Sequence, residues 1–243
     1  MAGITVDGFT SELTRALGGR LQTLLLYGSM ARGTHVPDRS DVNTLLVCDV
    51  VDETLFTALD PPLRAWTRAG HPAPLIFGER EWRESPRTFP IEYEEIREAH
   101  RVLAGRDPWL GDTQPSVARR EDLRRQLAFE LMGKVLRLRQ AYVATRGDGK
   151  RLTAVVAGSA SGIFTMLRGA LRLGGRPVPN APADVARAAA ALIGFPGSAL
   201  DDVAEYKHGR ARLALSPRDP RAAEYLDVVT RTAEFVNRLT VKE

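Results

Sequence analysis

The stretch that decides the fold is Leu24–Val47, which reads LLLYGSMARGTHVPDRSDVNTLLV. It connects two short apolar runs, Leu21–Tyr27 and Val42–Val47, whose length and polar boundaries predict two buried strands. The residues between them are rich in turn formers. At the end of the first strand Gly28 lets the backbone approach a ligand, and Ser29 offers a hydroxyl and an N–H at the start of a helix-prone turn. This combination favours a phosphate group.

The second strand opens with Ser40, Asp41, Val42 and Asn43. Side chains two residues apart on a strand point to the same face, so we expect Asp41 and Asn43 to lie side by side. A carboxylate and an amide are thus predicted beside the phosphate seat, and Arg32 adds a cation on the connecting turn.

These residues resemble the nucleotidyltransferase superfamily, the polymerase-beta-like fold. Its signature is Gly-Ser at one strand end and Asp-x-Asp or Asp-x-Glu on the next strand; here the residues are Gly28-Ser29 and Asp41-Val42-Asn43. Directly, the resemblance covers roughly residues 20–50. It extends more weakly through residues 89–108, which resemble the segment that carries a third acidic strand in bacterial members.

The resemblance implies transfer of a nucleoside monophosphate from a nucleoside triphosphate, ATP in the simplest case, to a hydroxyl acceptor on a small molecule or a protein. In active members three carboxylates hold two Mg²⁺ or Mn²⁺ ions, which stabilise the entering and departing oxygens. Asp41 matches the first carboxylate. Asn43 departs from the pattern, because an amide lends an oxygen but no charge.

The third carboxylate is taken from Phe89–Ile96, which reads as a strand with Glu92 and Glu94 on one face and Glu95 on the other. We choose Glu92, which follows Pro-Ile where the apolar pattern begins, and leave Glu94 and Glu95 open. The implied catalytic and metal-binding residues are then Asp41, Asn43 and Glu92. The implied nucleotide-binding residues are Gly28, Ser29, Arg32 and Ser40.

Position 43 leaves open whether the chain is an enzyme. The first hypothesis is a metal-dependent nucleotidyltransferase. The alternative is a catalytically inactive, nucleotidyltransferase-like protein that binds nucleotide or acts as a regulator, as in toxin–antitoxin pairs. The two differ in whether pyrophosphate is released.

The chain of 243 residues is expected to form two domains, an α+β fold of residues 1–110 and an all-α helical bundle of residues 116–243, joined near Gly105–Pro115. The first domain is predicted to be a mixed sheet with flanking helices. Its further elements are predicted as helices Phe9–Leu17 and 53–69, the latter interrupted at Pro61-Pro62, and a strand Pro74–Phe77.

Helical periodicity dominates the second domain. Apolar residues recur every three or four positions from Leu123 to Tyr142, and Arg151–Leu173 is apolar on most sides. A third helix is predicted at Ala183–Ile193. Ser198 and Asp219-Pro220 are predicted to start two more.

Charge is divided unevenly between these parts. Up to Pro115 the chain has 17 acidic and 12 basic residues, a net −5, and beyond it 13 acidic and 22 basic residues, a net +9. The basic half is interpreted as lining the binding site of a triphosphate or an acceptor. Nucleic acid is not expected as a partner, because the sequence contains no RNA-binding module.

The single cysteine, Cys48, excludes an internal disulfide and favours a reducing compartment. No secretory signal is expected from the first residues, and the uncharged run Leu152–Leu167 falls short of a membrane span. We therefore expect a cytoplasmic bacterial protein that makes no membrane contact. The acceptor stays unidentified, and a homodimer stays open.

Overall fold

The computed structural model describes residues 4–37, 40–110 and 118–240. The chain divides into two compact units, Met1–Ala118 and Arg119–Glu243. The predicted junction lies largely in residues 111–117, outside the described residues, so the exact domain limits stay a prediction.

Unit 1 is built on a four-stranded mixed sheet. Its strands are β1 Leu21–Tyr27, β2 Asn43–Cys48, β3 Leu75–Gly78 and β4 His100–Gly105, in the order β3-β2-β1-β4. β1 is antiparallel to β2 and β4, whereas β2 and β3 are parallel. Four helices accompany the sheet: α1 Val6–Leu17, α2 Glu53–Arg68, α3 Glu79–Thr88 and α4 Pro90–Glu98, with a 3₁₀ turn at Gly18–Arg20.

The alternation of side chains along the strands gives the sheet two apolar faces. Leu24 and Leu46 pack with residues of α1 and α2, and Trp66 of α2 stacks on Phe9 of α1 at 4.1 Å. On the other face Leu25 packs with residues of α3 and α4. Helices therefore cover the sheet on both sides, and only its strand ends remain for a site.

The strand predicted at Phe89–Ile96 is wrong, because these residues form α4. Pro90 occupies the first helical turn, where its missing N–H costs nothing, and Glu92 lies at the helix N-terminus, where a negative charge is favourable. The fourth strand is instead β4, immediately after α4. It ends at Gly105, which was predicted to be linker; there φ is +76°, and a Cβ atom would overlap the Gln22 carbonyl oxygen.

The predicted interruption of α2 at Pro61-Pro62 is also wrong. A proline inside a helix removes a hydrogen bond and crowds the preceding turn. The helix nevertheless continues from Glu53 to Arg68. Its buried residues Leu55, Leu59, Pro62 and Trp66 recur at helical spacing, and their burial offsets the local cost.

Unit 2 is helical throughout its described part, as predicted. Its helices are α5 Arg120–Thr145, α6 Gly149–Leu173, α7 Pro182–Ile193, α8 Asp201–Lys207 and α9 Pro220–Arg238, with a 3₁₀ turn at Gly197–Leu200. α6 packs against α5, α7, α8 and α9. Asp219 caps α9 as expected, but Ser198 caps no helix, because it lies inside the 3₁₀ turn and α8 starts after Leu200.

One described helix, α6, is long and apolar enough to cross a membrane by length and composition. The uncharged run Leu152–Leu167 lies within it. Half of its most apolar window is buried inside the protein, as in the core helix of a bundle.

Candidate functional site

Three strands bring residues to one end of the sheet in unit 1. Tyr27, the last residue of β1, pairs with Asn43 at the start of β2 and with His100 at the start of β4. Cross-strand partners lie on the same face, so these three side chains share the face that α3 and α4 cover. Gly28 and Ser29 follow directly. The resemblance predicted Gly28, Ser29 and Asn43 at one place, and the fold brings them together.

The connection after β1 is a tight turn and not the start of a helix. The Arg32 N–H donates to the Gly28 carbonyl at 3.0 Å, and the Thr34 N–H donates to the Ser29 carbonyl at 2.9 Å. A helical segment does not follow. The phosphate-binding site that was predicted at a helix N-terminus therefore lies at a single turn. Turns in which successive backbone N–H groups point to one side bind anions in other proteins, so the phosphate expectation passes from a helix N-terminus to a turn.

Glycine at position 28 has a local reason. Its φ is +75°, a conformation that favours glycine. A Cβ atom there would also lie 3.0 Å from Nδ2 of Asn43, so the Asn43 side chain lies against the turn. The amide at the unusual signature position therefore contacts the glycine of the same signature.

Asp41 is exposed, two residues before Asn43. Val42 between them is buried in the cluster with α1 and α2, so burial alternates along this segment as predicted. The Ser40 hydroxyl accepts a hydrogen bond from the Val36 N–H at 3.1 Å, and the Ser40 N–H donates to the Val36 carbonyl at 2.9 Å. Ser40 is thereby bonded to Val36, immediately before Asp41.

The three glutamates of α4 differ in their surroundings. Glu94 is buried and accepts two hydrogen bonds from Arg97, at 3.1 and 2.6 Å. Glu95 pairs with Arg32 at 3.4 Å. Glu92 lies close enough to the sheet end to act on Tyr27: burial, and then the negative charge of Glu92, raise the pKa of the Tyr27 hydroxyl to about 12. Helical geometry thus separates Glu92 from Glu94, which the strand interpretation placed on one face.

Arg32 connects the turn to α4. Its side chain is only 4% exposed. The guanidinium donates to the Glu95 backbone carbonyl at 3.1 Å and lies 3.4 Å from the Glu95 carboxylate and 3.9 Å from that of Glu98. Its charge therefore faces two carboxylates of α4, and these contacts fix the turn against the helix that carries Glu92.

The donor set does not match the two-ion site that the resemblance implies. Within residues 4–37, 40–110 and 118–240, no group of three or more His, Cys, Asp and Glu side chains is placed to hold a metal ion. Asp41 brings one carboxylate to this end of the sheet and Asn43 brings only an amide. Two cations at close range need more negative charge than this pair supplies.

Sequence reasoning missed His100 and its neighbours. Nδ1 of His100 lies 3.1 Å from the Ile96 carbonyl, and Nε2 lies 3.4 Å from the Asp107 carboxylate. The imidazole packs on Trp109 at 4.5 Å, and the Trp109 indole N–H donates to the Tyr93 hydroxyl at 2.7 Å. The apolar alternation of HRVLAG was the available signal for β4 and for His100 at its start.

Comparisons with known proteins agree with the architecture. No protein-family model and no curated protein matches the sequence. Among solved structures, the chain is similar to the crystal structure of spectinomycin adenyltransferase from Enterococcus faecialis with ATP and spectinomycin. The likeness covers 92% of this chain and 96% of that chain, with a TM-score of 0.58 and 12% sequence identity. At that identity it shows the fold alone: a nucleotidyltransferase fold with a mixed four-stranded sheet, followed by a helical part, as the sequence predicted.

Proposed function

We propose that the chain binds a nucleoside triphosphate at the Gly28–Ser29 turn and transfers its nucleoside monophosphate to an acceptor hydroxyl. One observation carries the proposal: in a nucleotidyltransferase fold, the glycine-containing turn after β1 lies against Asn43 at the start of β2, and the exposed Asp41 comes two residues before Asn43. The similar structure, solved with ATP and spectinomycin, supports a nucleotide and a small hydroxylated acceptor as ligands.

Each residue has a distinct part in this proposal. The Ser29 hydroxyl and the N–H groups of the turn donate to the triphosphate, and Gly28 admits it close to the backbone. Ser40 holds the loop that presents Asp41. Arg32 acts on the nucleotide through the turn, because its guanidinium is already paired with α4.

The reaction is an in-line displacement at the α-phosphorus. The acceptor oxygen forms a bond to that phosphorus, the bond to the bridging oxygen breaks, and pyrophosphate leaves. The hydroxyl proton has to pass to a base, and we assign this part to Glu92. The position of Glu92 supports this part, because it lies in the first turn of α4 and its charge reaches the sheet end at Tyr27.

The misfit to a two-ion site favours one alternative, nucleotide binding without transfer. In that case Asn43 would keep the contact with Gly28 while the charge needed for catalysis is missing. The two functions share the binding step and differ in pyrophosphate release, so one assay separates them.

The assay follows pyrophosphate release from each of the four labelled nucleoside triphosphates, with Mg²⁺ or Mn²⁺, and with a panel of hydroxylated acceptors that includes spectinomycin and a protein pool. Nucleotide binding is measured in parallel by calorimetry. We expect turnover that Asp41→Ala abolishes. Asp49→Ala removes an exposed carboxylate just after the opposite end of β2 and should leave turnover intact.

Binding without release would establish the alternative, and absence of binding for every nucleotide would contradict both functions. Asn43→Asp sharpens the result, because it restores a second carboxylate two residues from Asp41. Metal-dependent nucleotide affinity should rise in this variant. Unchanged affinity would show that residue 43 does not face the bound nucleotide.

A further inference from the structure

Two hydroxyl groups on α6 have protons that no acceptor in the described part of the chain takes up. Ser161 accepts a hydrogen bond from the Lys207 ammonium at 2.6 Å, and Thr165 accepts one from the Arg168 guanidinium at 3.3 Å. Ammonium and guanidinium groups donate and cannot accept, so each hydroxyl keeps its own proton for a further partner. Ser161 is exposed, and Thr165 is half-buried one helical turn later, so a ligand can reach both.

The other two hydroxyl side chains of α6 show what is unusual here. Thr153 donates to the Gly149 carbonyl at 2.7 Å, and Ser159 donates to the Val156 carbonyl at 3.0 Å. Donation to a carbonyl of the preceding turn is the ordinary way in which a helix satisfies such a group. The hydroxyls of Ser161 and Thr165 are instead held by cations, which suits a site for an anion.

A second ammonium reaches the same turn of α6 from α5. The Lys134 ammonium lies over Gly162, 2.9 Å from where a Cβ of that residue would be. A larger residue at position 162 would therefore displace it. Among the residues that the structure describes, Lys134 makes neither a hydrogen bond nor an ion pair. The glycine thus makes room for a charge that the fold does not neutralise.

The charge around this turn is mainly positive. The cations come from three helices: Lys134 of α5, Arg168 of α6 and Lys207 of α8. Glu130 lies one turn before Lys134 on α5 and offsets one of these charges. Like charges repel, and a bound anion removes that repulsion. We call Ser161, Gly162, Thr165 and the two lysines the α6 cluster.

We propose that the α6 cluster binds a phosphate group of a ligand. A phosphate ester carries a charge of about −1.5 to −2 at pH 7 and has oxygens in several directions, so it accepts from hydroxyls and ammoniums at once. Lysine acts at phosphate sites as a point charge. Every residue of the α6 cluster belongs to unit 2, whereas the Gly28–Ser29 turn belongs to unit 1. The proposal therefore concerns a second anion site and does not depend on the proposed function.

The test is a titration of the ¹⁵N-labelled full chain with inorganic phosphate at constant ionic strength, followed by two-dimensional NMR. We expect saturable shifts of the Ser161, Gly162 and Thr165 amides, with a dissociation constant of about 1 mM or below. Sodium chloride at the same ionic strength is the reference for nonspecific screening. Shifts that chloride reproduces, or shifts that do not saturate, would overturn the proposal.

Glycine variants test the position of Lys134 without removing a charge. Gly162→Ala displaces the ammonium and should weaken phosphate binding about threefold or more. Gly158→Ala is the matched control, because it lies one turn earlier on the same helix and an added Cβ there meets nothing within 4 Å. Alanine favours a helix, so both variants should stay folded. Equal affinities of the two variants would exclude Lys134 from the site.

Removal of donors tests the other side of the α6 cluster. Lys207→Met should weaken phosphate binding about tenfold and Ser161→Ala about threefold, since each change removes a hydrogen-bond donor. Lys150→Met is the control, because Lys150 is exposed in the first turn of α6. Circular dichroism checks that each variant is folded. Phosphate binding that survives both Lys207→Met and Ser161→Ala unchanged would overturn the proposal.

ATP distinguishes two sources of the phosphate group. If ATP displaces inorganic phosphate and shifts the same amides, the group belongs to a nucleotide. If phosphate stays bound in the presence of ATP, the α6 cluster serves a different phosphorylated ligand. Either result keeps the phosphate site, and a failure of nucleotide binding at the Gly28–Ser29 turn would leave it unaffected.

Discussion

Two ionic clusters, one in each unit, are built in opposite ways. In unit 1 a buried cation, Arg32, is held by the carboxylates of Glu95 and Glu98. In unit 2 a buried carboxylate, Asp219, accepts hydrogen bonds from the backbone and hydroxyl of Ser216 and from the backbone and guanidinium of Arg221. The Arg32 cluster connects the turn after β1 to α4, which is far away in sequence. The Asp219 cluster caps the N-terminus of α9.

The difference separates structural charge from charge that is available to a ligand. The Asp219 cluster is closed on itself, because each of its acceptors is used within a few residues. Asp41 of unit 1 differs from both clusters, because within the described residues it has neither a hydrogen bond nor an ion pair and it is exposed. A saturated carboxylate stabilises the fold, whereas an exposed carboxylate beside a glycine turn is free to meet a substrate.

The largest effect on stability is expected for Arg32→Met. Removing a buried cation leaves Glu95 and Glu98 facing one another without it, and should lower the free energy of unfolding by about 2–3 kcal/mol. Arg64→Met is the control, because Arg64 and its partner Asp60 are both more than half exposed. That change should cost less than about 0.5 kcal/mol. Urea unfolding measures both, and equal losses would contradict a special role for the Arg32 cluster.

Asp219→Asn is expected to cost about 1–2 kcal/mol at pH 7, because asparagine keeps the helix cap but loses the charge that binds Arg221. The Arg221 guanidinium, together with hydrogen bonds from Ser216, holds the pKa of Asp219 well below its usual range. The stability that Asp219 supplies is therefore complete above its unfolded pKa, near about 4, and is lost as the pH falls towards the lower folded value.

The measurement is the difference in unfolding free energy between wild type and Asp219→Asn from pH 7 to pH 3. It should shrink below about pH 4. Asp227→Asn on the same helix removes an exposed carboxylate that pairs with Arg231 at i,i+4. Its effect should be small throughout. A gap for Asp219→Asn that stays constant into acid would show that its charge contributes nothing.

An effect of the same size, about 1–2 kcal/mol, is expected for Gly28→Ala. Gly33→Ala is an internal control, since Gly33 has a similar φ of +70° but nothing within 4 Å of an added Cβ. Both variants carry the backbone strain, and only Gly28→Ala also presses on Asn43. Adding Asn43→Ala to Gly28→Ala should remove the excess, and identical losses for the two alanine variants would contradict the contact between the turn and Asn43.

The two ionic clusters also show what the sequence can predict. Asp219-Pro220 was recognised as a helix start because its partners are local. β1, β2 and β3 were recognised because each is a short apolar run between turn formers. The contact of Arg32 with Glu95 joins residues 63 positions apart, so no local pattern contains it.

The same limit explains the errors at the candidate site. In FPIEYEEI the apolar and acidic residues nearly alternate, which suits a strand, but the proline at the start and the three glutamates suit a helix equally well. Packing against the sheet favours the helix α4 for these residues, and the fourth strand is β4, which follows α4. The signature residues Gly28, Ser29, Asp41 and Asn43 were predicted together because they lie at the end of one strand and the start of the next, β1 and β2.

Asp41→Asn is expected to change stability least, and it tests most directly whether Asp41 faces the bound nucleotide. Because Asp41 is exposed and unbonded within the described chain, its replacement should alter the free energy of unfolding by less than about 0.5 kcal/mol. If Asp41 faces the triphosphate, the same change should alter nucleotide affinity in the presence of Mg²⁺, measured by calorimetry. Loss of stability together with unchanged affinity would place Asp41 among the structural carboxylates with Asp219. Unchanged stability with altered affinity would show that the Asp41 carboxylate does not stabilise the fold and interacts with the bound nucleotide.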